Sequence, residues 1–241
     1  MKAFSITDVG MKRNINQDYI FCSEDEVGSL PNLFIVADGM GGHNAGDYAA
    51  QFCAKSVVST VAESKEKTLI GVLGSAIKKA NEDLIKQAAN KEEYEGMGTT
   101  FVAACIQDHN LIVANVGDSR LYIINENIIK QITEDHSLVE AMIKNGEIER
   151  KDARLHPNKN VITRALGANP NVNIDFFEVN LEEGDIVLMC SDGLSNMLED
   201  EEIKSIIDTC SNDPKKAANK LLDKANINGG KDNIAIIIIK A

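Results

Sequence analysis

The chain has 241 residues, with 25 Lys and Arg against 37 Asp and Glu, for a formal net charge of −12. That length suits one large domain or two small ones, and 44% hydrophobic residues with only 4 prolines exclude a disordered or collagen-like chain. The acidity argues against a protein built to grip nucleic-acid phosphates or an anionic membrane surface.

The five cysteines (Cys22, Cys53, Cys105, Cys190, Cys210) are odd in number and show no CxxC spacing, so neither a disulfide framework nor a thiolate zinc site is expected. The start, Met1 to Asp8, has no continuous apolar stretch of signal-peptide type. The longest apolar runs, Phe101–Ile106 and Ile234–Ile239, fall far short of the ~20 residues that span a bilayer. A cytoplasmic protein with reduced thiols is the expectation.

Residues 2–9 and 18–23 read as strands, and 32–37 as a short buried one. Apolar residues at three- and four-residue spacing then predict helices over 45–61 (Ala49, Phe52, Cys53, Val57, Val61) and 68–90 (Leu73, Ile77, Leu84, Ile85). Segments 98–107, 110–116, 119–125 and 127–132 return to strand character, in a succession that predicts an antiparallel meander. Ser137-Leu-Val-Glu140 has capping-box spacing and opens a short helix ending at Gly146. Residues 147–160 are charged, contain Pro157 and lack periodicity; they read as a mobile excursion. A buried strand over 184–190, a helix over 200–209, a helix started by Asp213-Pro214 and a closing strand over 233–239 complete the chain. The order predicts one α+β domain with helices on antiparallel sheets.

Four aspartates stand at strand ends beside turn-forming residues: Asp18, Asp38, Asp192 and Asp232. Singly, each reads as an ordinary turn residue. Jointly they read differently, because Asp38 and Asp192 each follow a strand apolar enough to be buried on both faces, where an unpaired carboxylate is costly. All four are hard oxygen donors with no Cys or His cluster alongside, which suits Mg²⁺ or Mn²⁺. Two dications balance four carboxylates, and a pair about 3.5–4 Å apart makes hydroxide from water at neutral pH. Arg13, five residues before Asp18, supplies a guanidinium fork that fits two phosphate oxygens; the plain alternative is a solvated charge.

These residues fall within a wider set of motifs: Arg13-Asn-Ile-Asn-Gln-Asp18, Val36-Ala-Asp-Gly-Met-Gly-Gly-His-Asn-Ala-Gly46, Gly98-Thr-Thr100, Asn115-Val-Gly-Asp-Ser-Arg120, Thr133-Glu-Asp-His-Ser137, Thr163-Arg-Ala-Leu-Gly167, Cys190-Ser-Asp-Gly-Leu194 and Gly230-Lys-Asp-Asn233. In this order, from residue 3 to 240, the chain resembles the metal-dependent protein phosphatases, the protein phosphatase 2C or PPM family, and most of all its compact bacterial members. The resemblance implies an α+β fold: a β-sandwich of two antiparallel sheets flanked by pairs of α-helices, four layers in αββα order. It further implies that Asp38 bridges two Mn²⁺ or Mg²⁺ ions, that the Gly39 carbonyl ligates one of them and that Asp192 and Asp232 hold the other. Asp18 belongs to the same shell, directly or through water. Asp118 corresponds to an aspartate that joins Asp192 in a third metal site, the alternative being a turn acid between two strands. Arg13 clamps the substrate phosphate.

His43 lies near where some members place a proposed general acid; water is the alternative proton donor. His136 reads as shaping the turn before the Ser137 helix, and His109 and His156 as surface residues. The implied reaction is one-step hydrolysis of phosphoserine and phosphothreonine on proteins, reversing a serine/threonine kinase, with phosphorylated proteins as partners. No nucleic-acid or membrane partner is expected, and the chain is expected to act as a monomer. Residues 145–170 match the family's variable flap. Two rivals are a catalytically silent phosphoprotein-binding relative, against which the complete set of aspartates and Arg13 speaks, and a two-metal phosphodiesterase or nuclease, against which the −12 charge speaks.

Overall fold

The computed structural model describes residues 1–41, 45–210 and 213–240. In chain order the strands are β1 (Lys2–Asp8), β2 (Asp18–Ser23), β3 (Leu33–Met40), β4 (Gly98–Thr99), β5 (Phe101–Gln107), β6 (Asn110–Val116), β7 (Arg120–Ile124), β8 (Ile129–Gln131), β9 (Asp175–Asn180), β10 (Ile186–Cys190) and β11 (Ile234–Lys240). One sheet runs β1-β11-β10-β7-β8; the other runs β2-β3-β5-β6-β9, with β4 paired to the end of β3, and every pairing is antiparallel.

The sheets stack face to face over Phe34, Val36, Val102, Val187, Met189 and Ile237. Because side chains alternate across a strand, the intervening residues point outward and are buried as well. Ile35 and Ala103 pack beneath the long helices α1 (Ala45–Glu63) and α2 (Leu69–Ala89), which bring Cys53, Val57 and Ile77. Leu188, Ile236 and Ile238 pack beneath α6 (Asp200–Asp208) and α7 (Pro214–Ile227), which bring Ile203 and Leu221. Burial on both faces is why these strands read as continuous apolar runs. The helices start where local chemistry directs: Thr68 accepts from Gly71 N at 3.1 Å, Ser137 from Glu140 N at 3.2 Å ahead of α3 (Leu138–Lys144), and Asp213 from Lys216 N at 3.1 Å with Pro214 in the first turn. All five cysteines are free.

Three details depart from the sequence reading. The expected meander is interrupted: β5–β6 and β7–β8 are hairpins, but β6 and β7 belong to different sheets. Gly117 makes the crossing at φ +114°, where an added Cβ would lie 2.6 Å from that of Thr100. The strand expected over 98–107 divides at Thr100 into β4 and β5, because Thr100 turns its backbone N–H and hydroxyl to Asp38. Strand β9 had no counterpart in the sequence reading, nor did the single turn α5 (Asp192–Ser195). The excursion over 147–160 contains one short helix, α4 (Arg150–Ala153).

Candidate active site

The topology gathers the predicted aspartates at one end of the sandwich. Asp18 opens β2 and Asp38 lies near the end of β3, directly opposite it in the ladder. Asp192 follows β10, Asp232 precedes β11, and Asp118 sits on the crossing from β6 to β7. Asp18 is only 7% exposed. Its Oδ2 accepts from the Ser191 hydroxyl at 2.6 Å, while its Oδ1 is buried without a hydrogen-bond partner. Asp192 is arranged in the same way: Oδ2 accepts from Asn196 Nδ2 at 2.8 Å and Oδ1 is buried and unpartnered.

The carboxyls carry the electrostatic signature of a crowded site, with Asp18 and Asp118 buried and Asp38, Asp192 and Asp232 half-buried. Burial, reinforced by the charges of Asp192 and Asp232, pushes Asp18 up to about 8. Burial and the other four aspartates raise Asp38 well above the ordinary carboxylate range. Asp118 rises to about 7, through burial and then Asp192 and Asp135, and Asp192 to about 6, through burial and then Asp232. Arg13 pairs with the cluster directly: its half-exposed guanidinium reaches Asp232 Oδ2 at 2.8 Å. Arg120 and Lys159 also act on Asp192, yet burial and the neighbouring carboxylates outweigh all three cations.

Two orphaned carboxylate oxygens in a cluster of hard donors fit a divalent cation, since a buried unpaired acceptor is otherwise costly. Among the described residues no group of three or more His, Cys, Asp or Glu side chains is placed to hold a metal ion by itself, so waters or carbonyls would have to complete the shell. An open centre suits Mg²⁺ or Mn²⁺, which keep waters and carbonyls in their shell. Gly39 provides such a carbonyl. Its N–H is tied to Gln17 O at 3.1 Å, and a Cβ there would lie 1.9 Å from the Gly46 carbonyl oxygen, so only glycine lets the start of α1 approach.

Residues 11–224 match the family model described as Protein phosphatase 2C. The chain belongs to the protein phosphatase 2C family. It is a metal-dependent protein-serine/threonine phosphatase. Over 240 residues it is 37% identical to the serine/threonine phosphatase stp of Listeria monocytogenes serovar 1/2a, covering 97% of this chain and 93% of that one. The crystal structure of serine/threonine phosphatase Stp1 from Staphylococcus aureus superposes with a TM-score of 0.92 at 34% identity, covering 100% of this chain and 94% of that one. The catalytic domain of PstP, solved in complex with 2 manganese ions, gives 0.85 at 29% identity, with 98% and 96% covered. The sandwich with outer helices is therefore the fold of this phosphatase family.

Within the phosphatase, Arg13 and the five aspartates are brought together, whereas His43 lies outside the described residues. His136 is buried: Nδ1 accepts from Gly117 N at 2.9 Å and Nε2 meets Asp175 Oδ2 at 2.9 Å. It thus braces the turn that carries Asp118. Sequence reasoning assigned no role to several supporting residues. Ser191 and Thr100 hold Asp18 and Asp38, and Asn233 joins Val9, Ile15 and Gln17 around the Arg13 loop. Thr100, Ser191 and Asn233 stand within the motifs Gly98-Thr-Thr100, Cys190-Ser-Asp-Gly-Leu194 and Gly230-Lys-Asp-Asn233, but nothing in the sequence shows which groups they hold. Two cavities adjoin the aspartates. One of about 490 Å³ is lined by Asp118, Asp192, Arg154 and Lys159, and one of about 590 Å³ lies beside Asp18, Tyr48 and Tyr94.

Proposed function

We propose that Asp38, the Gly39 carbonyl, Asp192 and Asp232 hold two Mn²⁺ or Mg²⁺ ions, with Asp18 in their immediate shell and a third ion shared by Asp118 and Asp192. The observation that carries this reading is the buried carboxylate cluster with orphaned oxygens on Asp18 and Asp192. The two manganese ions of PstP support the same count. When bound, such ions activate a water and neutralise phosphoryl charge.

The chain's own groups do the positioning that phosphoryl transfer chiefly needs. Arg13 takes two phosphate oxygens with its fork, held at the rim by Asp232. Ser191 turns Asp18 by its Oδ2, leaving Oδ1 directed into the centre. Thr100 fixes Asp38 through its backbone N–H and carbonyl. We assign His43 as the candidate general acid for the leaving serine or threonine oxygen, with water as the alternative donor; loss of the alkaline limb of the kcat profile in His43→Ala supports the histidine, and an unchanged profile supports water.

Residues 145–170 act as a substrate-selecting flap beside the Asp118 and Asp192 cavity. The chain works as a cytoplasmic monomer opposing a serine/threonine kinase; no helix among its described residues is long and apolar enough to cross a membrane. Titrating the EDTA-treated protein with Mn²⁺ and Mg²⁺ against para-nitrophenyl phosphate and phosphopeptides tests the reading. Turnover should rise with metal and vanish in Asp38→Ala; turnover independent of metal overturns it.

A further inference from the structure

The single turn α5 ends on Asn196, whose backbone N–H donates to the Asp192 carbonyl at 2.7 Å. That four-residue spacing brings the Asn196 side chain back over the Asp192 carboxylate. The amide is then used at both ends. Nδ2 donates to Asp192 Oδ2 at 2.8 Å, and Oδ1 accepts from Lys159 Nζ at 3.3 Å. Reversing the amide would set its oxygen against the carboxylate and its NH₂ against the ammonium, so the two contacts select one orientation. With Oδ2 taken, Asp192 presents Oδ1 alone, the oxygen that is buried without a partner.

We propose that Asn196 is a positioning residue for Asp192, and that Lys159 holds Asn196 in place, so that the 147–160 excursion helps set the affinity of the centre for its divalent cation. The inference rests on reading Asp192 as a metal residue. Lys159 is the only residue of the excursion that contacts Asn196 by a hydrogen bond among the described residues, and it lines the same cavity as Asp118 and Asp192. The excursion has its own mooring nearby, where Arg154 Nε meets Glu199 Oε1 at 2.8 Å. A displacement of this segment therefore reaches Asp192 through one side chain, without moving a strand.

The test is calorimetric titration of Mn²⁺ into the metal-free full chain, with the thermal midpoint of each apo variant as the folding control. Asn196→Leu, which keeps the volume and removes both amide contacts, should weaken the Asp192-dependent Mn²⁺ site by ~10–100-fold, the range for an outer partner of a ligand. Lys159→Met, which keeps the stem, loses the hold on the amide but also removes a positive neighbour of Asp192, which favours a cation there. It should therefore weaken the site only by about 2-fold, within the size of a partly exposed charged contact. The double variant should bind no more weakly than Asn196→Leu, because Lys159 acts through the amide. Additive losses overturn the linkage, and wild-type Mn²⁺ affinity in Asn196→Leu overturns the positioning role. Asp192→Asn is the separate control: if it too binds Mn²⁺ as wild type does, the metal reading of Asp192 falls instead. Should Asn196→Leu not fold, Asn196→Ala, which also removes both amide contacts, carries the test, and wild-type affinity there overturns the proposal.

Discussion

Asp18 stands directly opposite Asp38 in the β2–β3 ladder, so two acidic side chains, one buried and one half-buried, occupy one cross-strand pair. Like charges in such a pair destabilise a sheet, and here the Asp18 charge raises the cost of ionising Asp38. The arrangement sacrifices stability of the metal-free chain for a concentrated oxygen-donor site. Asp38→Asn should therefore separate two properties. Metal-dependent turnover should fall by at least ~100-fold, while the EDTA-treated variant at pH 8 should be more stable by about 1–3 kcal/mol. At roughly 2–4 °C per kcal/mol for a chain of this size, differential scanning fluorimetry resolves the gain; an apo midpoint below wild type would contradict it.

The same cluster gives the metal-free protein an unusual pH dependence. Unfolded aspartates titrate near ~4, whereas folded Asp192, Asp118 and Asp18 hold their protons to about 6, 7 and 8. Between those limits the folded state binds more protons than the unfolded one, so stability is full below about 4 and is lost as pH rises toward about 8. His136 works oppositely: burial lowers its pKa, so its contribution is lost only as pH falls below the ordinary histidine value. From pH 6.5 to 8 the carboxyls act alone, and each retained proton costs about 1.4 kcal/mol per pH unit. With EDTA the midpoint should fall across this window, and saturating Mn²⁺ should flatten it. A midpoint that stays level or climbs in EDTA would refute the account.

How much of this was legible in the chain depended on how far apart the interacting residues lie in sequence. Helices α1 and α2, and strands β1 to β3, follow from local periodicity and lie within a few residues of expectation. The crossing from β6 to β7 was misread because a three-residue turn looks the same whether it joins neighbours in one sheet or passes between two. Strand β9, Asp175-Phe-Phe-Glu-Val-Asn180, was missed because its alternation is short and ends in polar residues. The aspartates themselves stood out by sitting at the ends of apolar strands. Their supporting residues did not: Ser191 meets Asp18 across 173 residues of chain, so only the assembled sheets reveal the contact.

Arg13 offers a test of substrate grip that leaves the aspartates untouched. Its side chain is about half exposed and bonded to Asp232 by one nitrogen, leaving donors free for a phosphate. Charge-assisted hydrogen bonds of this kind contribute about 1.5–3 kcal/mol, so Arg13→Ala should lower kcat/KM by ~10–100-fold, mainly through KM. Arg13→Lys should recover only part, because an ammonium lacks the planar fork. Mn²⁺ affinity should stay the same or tighten slightly, since a positive neighbour of Asp232 has gone. Equal losses of metal affinity and of kcat would instead place Arg13 among the determinants of the metal centre.

Asn233 should matter to the same step from within the fold. It is 4% exposed, and its amide is fully engaged: Oδ1 accepts from Gln17 N, and Nδ2 donates to the carbonyls of Val9 and Ile15, all at 2.9 Å. The loop that carries Arg13 is thereby fastened at both ends to the residue next to Asp232. Asn233→Ala orphans one donor and two acceptors, and should destabilise the chain by roughly 2–4 kcal/mol in urea unfolding. Asn233→Asp keeps an acceptor for Gln17 but turns a carboxylate oxygen toward two carbonyls, so it should do no better at pH 8. Both variants should raise KM for phosphopeptide, because Arg13 loses its fixed height above the aspartates. If Asn233→Ala lowers stability as expected yet keeps the wild-type KM, the loop's position is set by other contacts and Asn233 serves the fold alone.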